Sequence, residues 1–207
     1  MNKIRQITQE EIDGIVESPC GLSPLLRILP PYELDEIKAS LKDLNLRNLN
    51  LNWTDLSRCD LRGADLSGCT IGPYTFFDAA IFDENTKMPD YPMACPKEGA
   101  FTGYKKALVM DKDGFHDAIV MLYIPECALR SSATGRKCRC DKAKVLEIRR
   151  EDTAERYEIA LSARDKNCIY ETRFYVGDDD FDTCRWHECS TGIHFYMTEK
   201  EAREHLL

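Results

Sequence analysis

Ten residues, Arg130-Ser131-Ser132-Ala133-Thr134-Gly135-Arg136-Lys137-Cys138-Arg139, combine four cationic side chains with a run of small and hydroxylated ones. Small residues let a backbone approach a ligand closely, hydroxyls donate, and flanking guanidinium and ammonium groups pair with phosphate oxygens. The stretch is therefore expected to hold a phosphorylated small molecule or nucleotide through Arg130, Ser131, Ser132, Thr134, Arg136, Lys137 and Arg139. It lacks the Gly-x-x-x-x-Gly-Lys-Ser/Thr spacing of a Walker loop. The competing reading is an exposed basic loop that keeps the protein soluble. Cys138-x-Cys140 and Cys184-x-x-His187-x-Cys189 could supply four tetrahedral zinc ligands if the segments met, but neither spacing is that of a zinc knuckle and cysteine is also a common core residue. No metal and no cofactor is therefore assigned. Asp178, Asp179, Asp180 and Asp182 lack calcium-loop spacing and read as a solvated turn. His116 has no nucleophile beside it in sequence and reads as a surface histidine.

Charge distribution sharpens the first candidate. The chain has 207 residues and a formal net charge of −8. The window Leu129 to Arg150 carries eight basic and two acidic residues, a local +6 that leaves −14 elsewhere. A basic island on an acidic protein favours a small anionic ligand over long nucleic acid.

Gly192-Ile193-His194-Phe195, followed by Ala202 and His205, resembles the middle motif of ADP-ribosyltransferases. The resemblance covers about fourteen residues, puts His194 where those enzymes have tyrosine, and leaves no later strand for a catalytic glutamate. Transferase activity is the weakest alternative, with His187 and His194 kept as secondary candidates in any enzymatic reading. No catalytic residue is assigned.

The elements that must position these groups begin with a fivefold repeat. From Ala39 to Asp83 an apolar residue returns every fifth position: Leu41, Leu46, Leu51, Leu56, Leu61, Leu66, Ile71, Phe76 and Ile81. Two residues before each stands a second inward candidate: Ala39, Leu44, Leu49, Thr54, Cys59, Ala64, Cys69, Tyr74 and Ala79. A period of five gives neither one helical face nor one strand face, so the chain must turn a corner at each repeat. With the units Cys59-Asp60-Leu61-Arg62-Gly63 and Ala64-Asp65-Leu66-Ser67-Gly68, the segment resembles the pentapeptide-repeat proteins of bacteria and their phages. That resemblance implies a right-handed quadrilateral β-helix of about two coils. Leu41 would then stack with Leu61 and Ile81, Leu46 with Leu66, Leu51 with Ile71, and Leu56 with Phe76.

Around this repeat the sequence predicts four parts: a helical segment and cap over 1–38, the β-helix over 39–86, a proline-containing linker over 87–98, and an α+β domain on a mostly antiparallel sheet over 99–207. Thr8-Gln9-Glu10-Glu11 has capping-box spacing for a helix over 9–17, and Leu34, Ile37 and Leu41 suggest a second helix from Tyr32 to Ser40. Expected strands run from Tyr104 to Met110, Ala118 to Ile124, Ala143 to Ile148, Tyr157 to Leu161, Ile169 to Val176 and Gly192 to Met197. A final helix follows from Thr198 to Leu206. The landmarks Cys95-Pro96-Lys97-Glu98-Gly99, the Arg130 stretch and Trp186-His187-Glu188-Cys189 together resemble a domain that follows pentapeptide repeats in bacterial and phage proteins, one that brings no activity with it.

Met1 to Glu11 is polar, and no run approaches the ~18 apolar residues of a membrane helix, so a soluble cytoplasmic protein with reduced cysteines is expected, in the host cytoplasm if phage-encoded. Two coils at the ~4.8 Å interstrand spacing make a rod of about 10 Å, too short to imitate duplex DNA with its charge every ~1.7 Å. The leading function is thus a non-enzymatic binding protein for a phosphorylated small molecule, in a phage the sequestration of a host defence signal. The alternative is a module that engages a host or bacterial protein through its repeat face, and a second copy of the chain is a further candidate partner.

Overall fold

The structure is a computed structural model that describes residues 4–15, 22, 26, 37–163 and 168–205. It is mostly β with little helix, and the chain divides into two compact units. One comprises Met1–Pro92 with the excursion Trp186–Cys189; the other comprises Met93–Arg185 and Ser190–Leu207. Among the described residues, no helix is long and apolar enough to cross a membrane.

In the first unit, β1 (Arg5–Gln6), β2 (Ala39–Ser40) and β3 (Cys59–Asp60) pair in parallel. Isolated parallel bridges continue the pattern at Asn45–Asp65, Asn50–Thr70, Asp55–Phe76, Asp60–Ile81 and Asp65–Lys87. Backbone bonds run both ways between these passes of the chain, as in Leu46 N–H to the Asp65 carbonyl and Asp65 N–H to the Leu44 carbonyl. Leu41, Leu46, Leu51, Leu56, Leu61 and Leu66 are all fully buried, and Ala39, Cys59 and Ala64 lie beside them.

Each corner is a four-residue turn in which the N–H three residues on reaches back to the carbonyl of the inward leucine, as Leu44 does to Leu41 and Ala64 to Leu61. The third residue of the turn is left-handed at Asp43, Asn48, Trp53, Arg58, Gly63 and Gly68, the requirement of a type II turn. The Asn or Asp just before each inward leucine from Leu46 to Leu66 accepts the backbone N–H two residues on: Asn45 from Arg47, Asn50 from Asn52, Asp55 from Ser57, Asp60 from Arg62 and Asp65 from Ser67. The Asx side chain thus fixes the bend at these five positions.

The expected register fails after Ile71. The next left-handed position would be Pro73, whose ring fixes φ near −65°. The turn instead begins one residue later, Thr75 N–H bonding the Gly72 carbonyl, which moves Pro73 to the second turn position where that φ fits. The bridge spacing lengthens from twenty to twenty-one residues, so Phe77, not Phe76, follows Leu56 inward. Phe77 is buried and Phe76 is 40% exposed; likewise Thr75 and Ala80 are buried in place of Tyr74 and Ala79. The Asp60–Ile81 bridge puts Phe82 in the register position expected for Ile81, with both residues partly buried. Leu44 is only partly buried, with Leu49 behaving as expected.

The start of this unit is covered by β1 and by α1 (Gln9–Asp13), whose Thr8–Glu11 capping box is formed. The Gln9 side chain donates to the Asn45 carbonyl and accepts the Asn45 N–H. Helix over 32–40 is corrected at its end, since Ala39–Ser40 is a strand; residues 16–17 of the first helix and 32–36 of the second lie outside the described residues.

The second unit is built on a hairpin of β4 (Phe101–Asp111) and β5 (Gly114–Ile124), with Asp111 opposite Gly114 at its tip. β8 (Lys142–Arg150) extends it antiparallel, with β10 (Ile159–Leu161) and β11 (Ile169–Glu171) on the β4 side, and β9 (Arg156–Tyr157) and β12 (Tyr175–Gly177) pairing β8. The expected strand over Ile169 to Val176 is broken because Arg173 adopts a left-handed conformation between β11 and β12. Alternate residues Ala107, Val109, Ala118, Val120, Leu122 and Ile124 are buried on one sheet face. A smaller sheet joins β6 (Arg130–Ser132), β7 (Cys138–Cys140) and β13 (Ile193–Phe195). Phe195 is fully buried, and a Cβ on Gly103 would meet its ring at 2.6 Å, which is why β4 has glycine there. α2 (Glu199–Glu204) closes the chain with the Thr198–Glu201 capping box in place.

Candidate functional site

The basic stretch is a short hairpin, β6 and β7 paired through Arg130–Cys140, Ser131–Arg139 and Ser132–Cys138, rather than an open loop. Pairing places Ser131, Ser132, Thr134 and Arg139 in the interior, each no more than 5% exposed. The Arg139 guanidinium donates to the carbonyls of Asp182, Thr191 and Cys184 and lies 5.2 Å from the Phe181 ring centroid. Arg130 donates to the carbonyls of Ala128, Gly99, Pro125 and Glu126 and sits 5.1 Å over Phe101. Ser132 Oγ accepts the Ala94 N–H, while the buried Ser131 hydroxyl has no hydrogen-bond partner among the described residues. Arg136 is exposed and paired with Glu201 at 2.7 Å. That pairing raises the Arg136 pKa further. Lys137 is partly buried. The stretch ties loops of its own unit together, and Arg136 is its most exposed cation.

The secondary candidates fall elsewhere. His187 Nε2 lies 2.8 Å from the Ala80 carbonyl and its ring stacks obliquely on Phe82, while Trp186 meets Phe77 edge-on at 5.5 Å. Cys189 N–H bonds the Asp78 carboxylate. The excursion Trp186–Cys189 therefore closes over the last inward rings of the repeat, a cap whose signal in the sequence is a Trp-His pair more than 100 residues from the side chains it covers. His194 stands opposite Arg139 in β13, and its carbonyl accepts from Lys105. Among the described residues, no group of three or more His, Cys, Asp or Glu could hold a metal ion. Cys138 and Cys140 are buried in the apolar core, which pushes Cys140 up to about 12.

His116, read as a bystander in the sequence, lines an open groove of about 560 Å³ with Phe115, Asp117, Glu151, Asp152 and Arg203. Its Nε2 is 3.1 Å from Asp111, whose other oxygen is 3.0 Å from Arg150 and 3.3 Å from the Tyr157 hydroxyl. The Asp113 backbone N–H, then His116 and Arg150, hold the Asp111 carboxyl below its usual range. Asp111 thus accepts from the turn, β5, β8 and β9, and locks the hairpin tip.

A second cluster lies on the repeat unit. Trp53 and Tyr74, twenty-one residues apart, stack face to face with centroids 4.0 Å apart and planes 8° from parallel. Trp53 is 66% exposed and Tyr74 51%, and the outward Phe76 follows Tyr74 two residues on. Trp53 occupies one of the left-handed corners, φ 62°, where its neighbours in the repeat are Asp, Asn, Arg and Gly. Sequence reasoning missed this pair because Tyr74 falls on an inward position until the Pro73 shift turns it out.

Residues 91–202 match the model of a family of unknown function, DUF5758, and the chain belongs to that family. Residues 37–71 match the model described as pentapeptide repeats (8 copies), ending where the register changes. No curated protein and no solved structure matches the chain.

Proposed function

We propose that this protein is a non-catalytic interaction protein whose repeat unit, a short right-handed four-sided β-helix, presents the Trp53–Tyr74 stack to a protein partner. Trp53 carries the reading. A bulky residue in the left-handed region is strained, and a tryptophan 66% exposed forgoes part of the gain of burial, so the position is unfavourable on both counts. Local strain of this kind gathers at binding surfaces, where contact with a partner offsets it. The exposed ring surface suits a polypeptide that offers an arginine, proline or aromatic side chain, and tryptophan and tyrosine are the side chains that dominate such contacts. Parallel bridges at spacings of 20–22 residues, each with a fully buried leucine directly after its first member, support the β-helical assignment.

The test is capture from bacterial extract on wild-type protein and on Trp53→Ala/Tyr74→Ala in parallel, followed by titration of each purified captured protein. A partner that binds wild type and loses at least about tenfold in affinity to the double variant supports the reading. Equal binding to both overturns it. The nucleotide reading of the Arg130–Arg139 stretch rests on its composition, and calorimetry against a nucleotide panel with Arg136→Ala as control tests it separately; the hairpin geometry leads us to expect no binding.

A further inference from the structure

The large sheet of the second unit buries one face and leaves part of the other bare. Val120, Leu122, Ile124, Ala143 and Val145 lie on the buried face. Their neighbours along the strands point outward, and pairing aligns four outward residues in one row across β4, β5, β8 and β12: Thr102 opposite Tyr123, Tyr123 opposite Lys144, and Lys144 opposite Tyr175. Toward the other end of this face α2 packs on the sheet, Arg149 bonds Glu199 at 2.8 Å, and Ile119, the cross-strand partner of Arg149, is buried. A β-bulge between Met121 and Leu122 separates that covered end from the open one, and bulges re-aim the side chains beside them. Beyond it Tyr123 is 37% and Tyr175 61% exposed, with Phe174 exposed next to Tyr175. The cations of the covered end are neutralised: Lys106 pairs with Asp117, Arg149 with Glu147 and Glu199, and Arg150 with Asp111 and Asp152. At the open end Lys142 is 3.3 Å from Asp141, but Lys144 and the exposed Arg173, whose N–H bonds the Val145 carbonyl, form no ion pair among the described residues.

We propose that the open end of this face binds single-stranded nucleic acid, Tyr123 and Tyr175 each stacking a base while Lys144, with Arg173 at the edge, holds the backbone phosphates. Aromatic rings left in water beside cations without counter-charges match a polyanion that carries flat faces. Neighbouring strands are about 4.8 Å apart, so the two tyrosines stand about 10 Å apart at the backbone with the lysine midway, where the phosphate joining two bases would lie. Duplex bases are held in a stack of about 3.4 Å per step and cannot spread onto separate rings, whereas unpaired bases splay onto them. The net charge of −8 restricts the contact to a short segment. This surface belongs to the second unit and does not rest on the Trp53–Tyr74 reading.

Full-length protein is titrated by fluorescence anisotropy into labelled oligothymidylate and oligouridylate of about ten nucleotides, within the site sizes of stacking surfaces, and into a duplex of the same length, with polyglutamate as competing polyanion. Saturable binding of a single strand and weaker binding of the duplex are expected; a preference for either oligonucleotide supports the proposal and identifies the sugar recognised. Tyr123→Ala and Tyr175→Ala should each lose about fivefold or more in affinity, and Tyr123→Phe/Tyr175→Phe should retain it, because the ring face does the stacking. Lys144→Gln should reduce the slope of log affinity against log salt by about 0.7, the value of one phosphate contact. Both tyrosines are exposed, so their removal opens no core cavity, and circular dichroism verifies the fold. If an alanine variant does not fold, the wild-type preference for single strand over duplex and its salt slope decide alone. Absence of single-strand binding, equal binding of the duplex, folded alanine variants that bind as wild type does, or tighter binding of polyglutamate would each overturn the proposal.

Discussion

A left-handed corner asks different things of different side chains, and the repeat unit contains both extremes. Gly63 and Gly68 meet the demand without strain, whereas Trp53 and Ala79 meet it against their preference. A Cβ on Gly63 would stand 2.0 Å from Asp43 Oδ1 in the preceding pass, a clash with a flexible tip that can move aside. Gly63→Ala is therefore expected to cost about 1–2 kcal/mol in urea unfolding, nearly all of it from the backbone conformation. Arg139 is the other telling residue. Its side chain is buried and saturates three carbonyls, so Arg139→Leu should lose about 3 kcal/mol or more, because each orphaned acceptor carries its own desolvation cost. An unchanged midpoint would contradict the assignment of Arg139 as a clamp.

At the scale of elements, the fivefold apolar period was legible because its physical cause, one turn per inward leucine, leaves a direct trace in residue types. The β4–β5 hairpin and both capping boxes were legible for the same reason: each rests on local spacing. The register change was readable too, had the need for positive φ at the third turn residue been set against Pro73. The Arg130–Arg139 stretch was not, since its composition suits an anion cradle equally well, and only pairing of Ser132 with Cys138 and of Arg139 with Ser131 decides that its serines face inward. The Asx turns lead to a prediction in pH. Asp60 is lowered by Arg62, Asp83 chiefly by the Gly63 N–H, and Asp65 is drawn down to about 2 by Ser67 and Lys87. Each folded-state value lies below the unfolded one, so their stabilisation is complete above the ordinary carboxylate range and is lost as pH falls through the folded values. Urea midpoints should thus fall between about pH 4 and about pH 2. Asp65→Asn keeps the accepting oxygen, as Asn45 and Asn50 do, and should flatten part of that slope. A slope identical to wild type would remove Asp65 from the account.

For the molecule as a whole, the two units differ in how they treat their polar side chains. Arg130, Arg139, Arg185 and Asp111 of the second unit each tie several backbone or side-chain groups together. The first unit keeps its aspartates on local turns and sets an aromatic stack out in solvent. Family membership locates the second unit, and the repeat match ends short of Tyr74, so the aromatic pair lies across the edge of the recognised pattern. Its double substitution removes exposed rings without opening the leucine interior, and folding should survive it.

The most direct measurement is the affinity of a captured, purified partner for wild-type protein and for Trp53→Ala/Tyr74→Ala, taken by calorimetry with both forms shown to have the same circular dichroism. The account predicts at least about tenfold weaker binding by the double variant. Equal affinity would contradict the claim that the repeat unit recognises its partner through this stack.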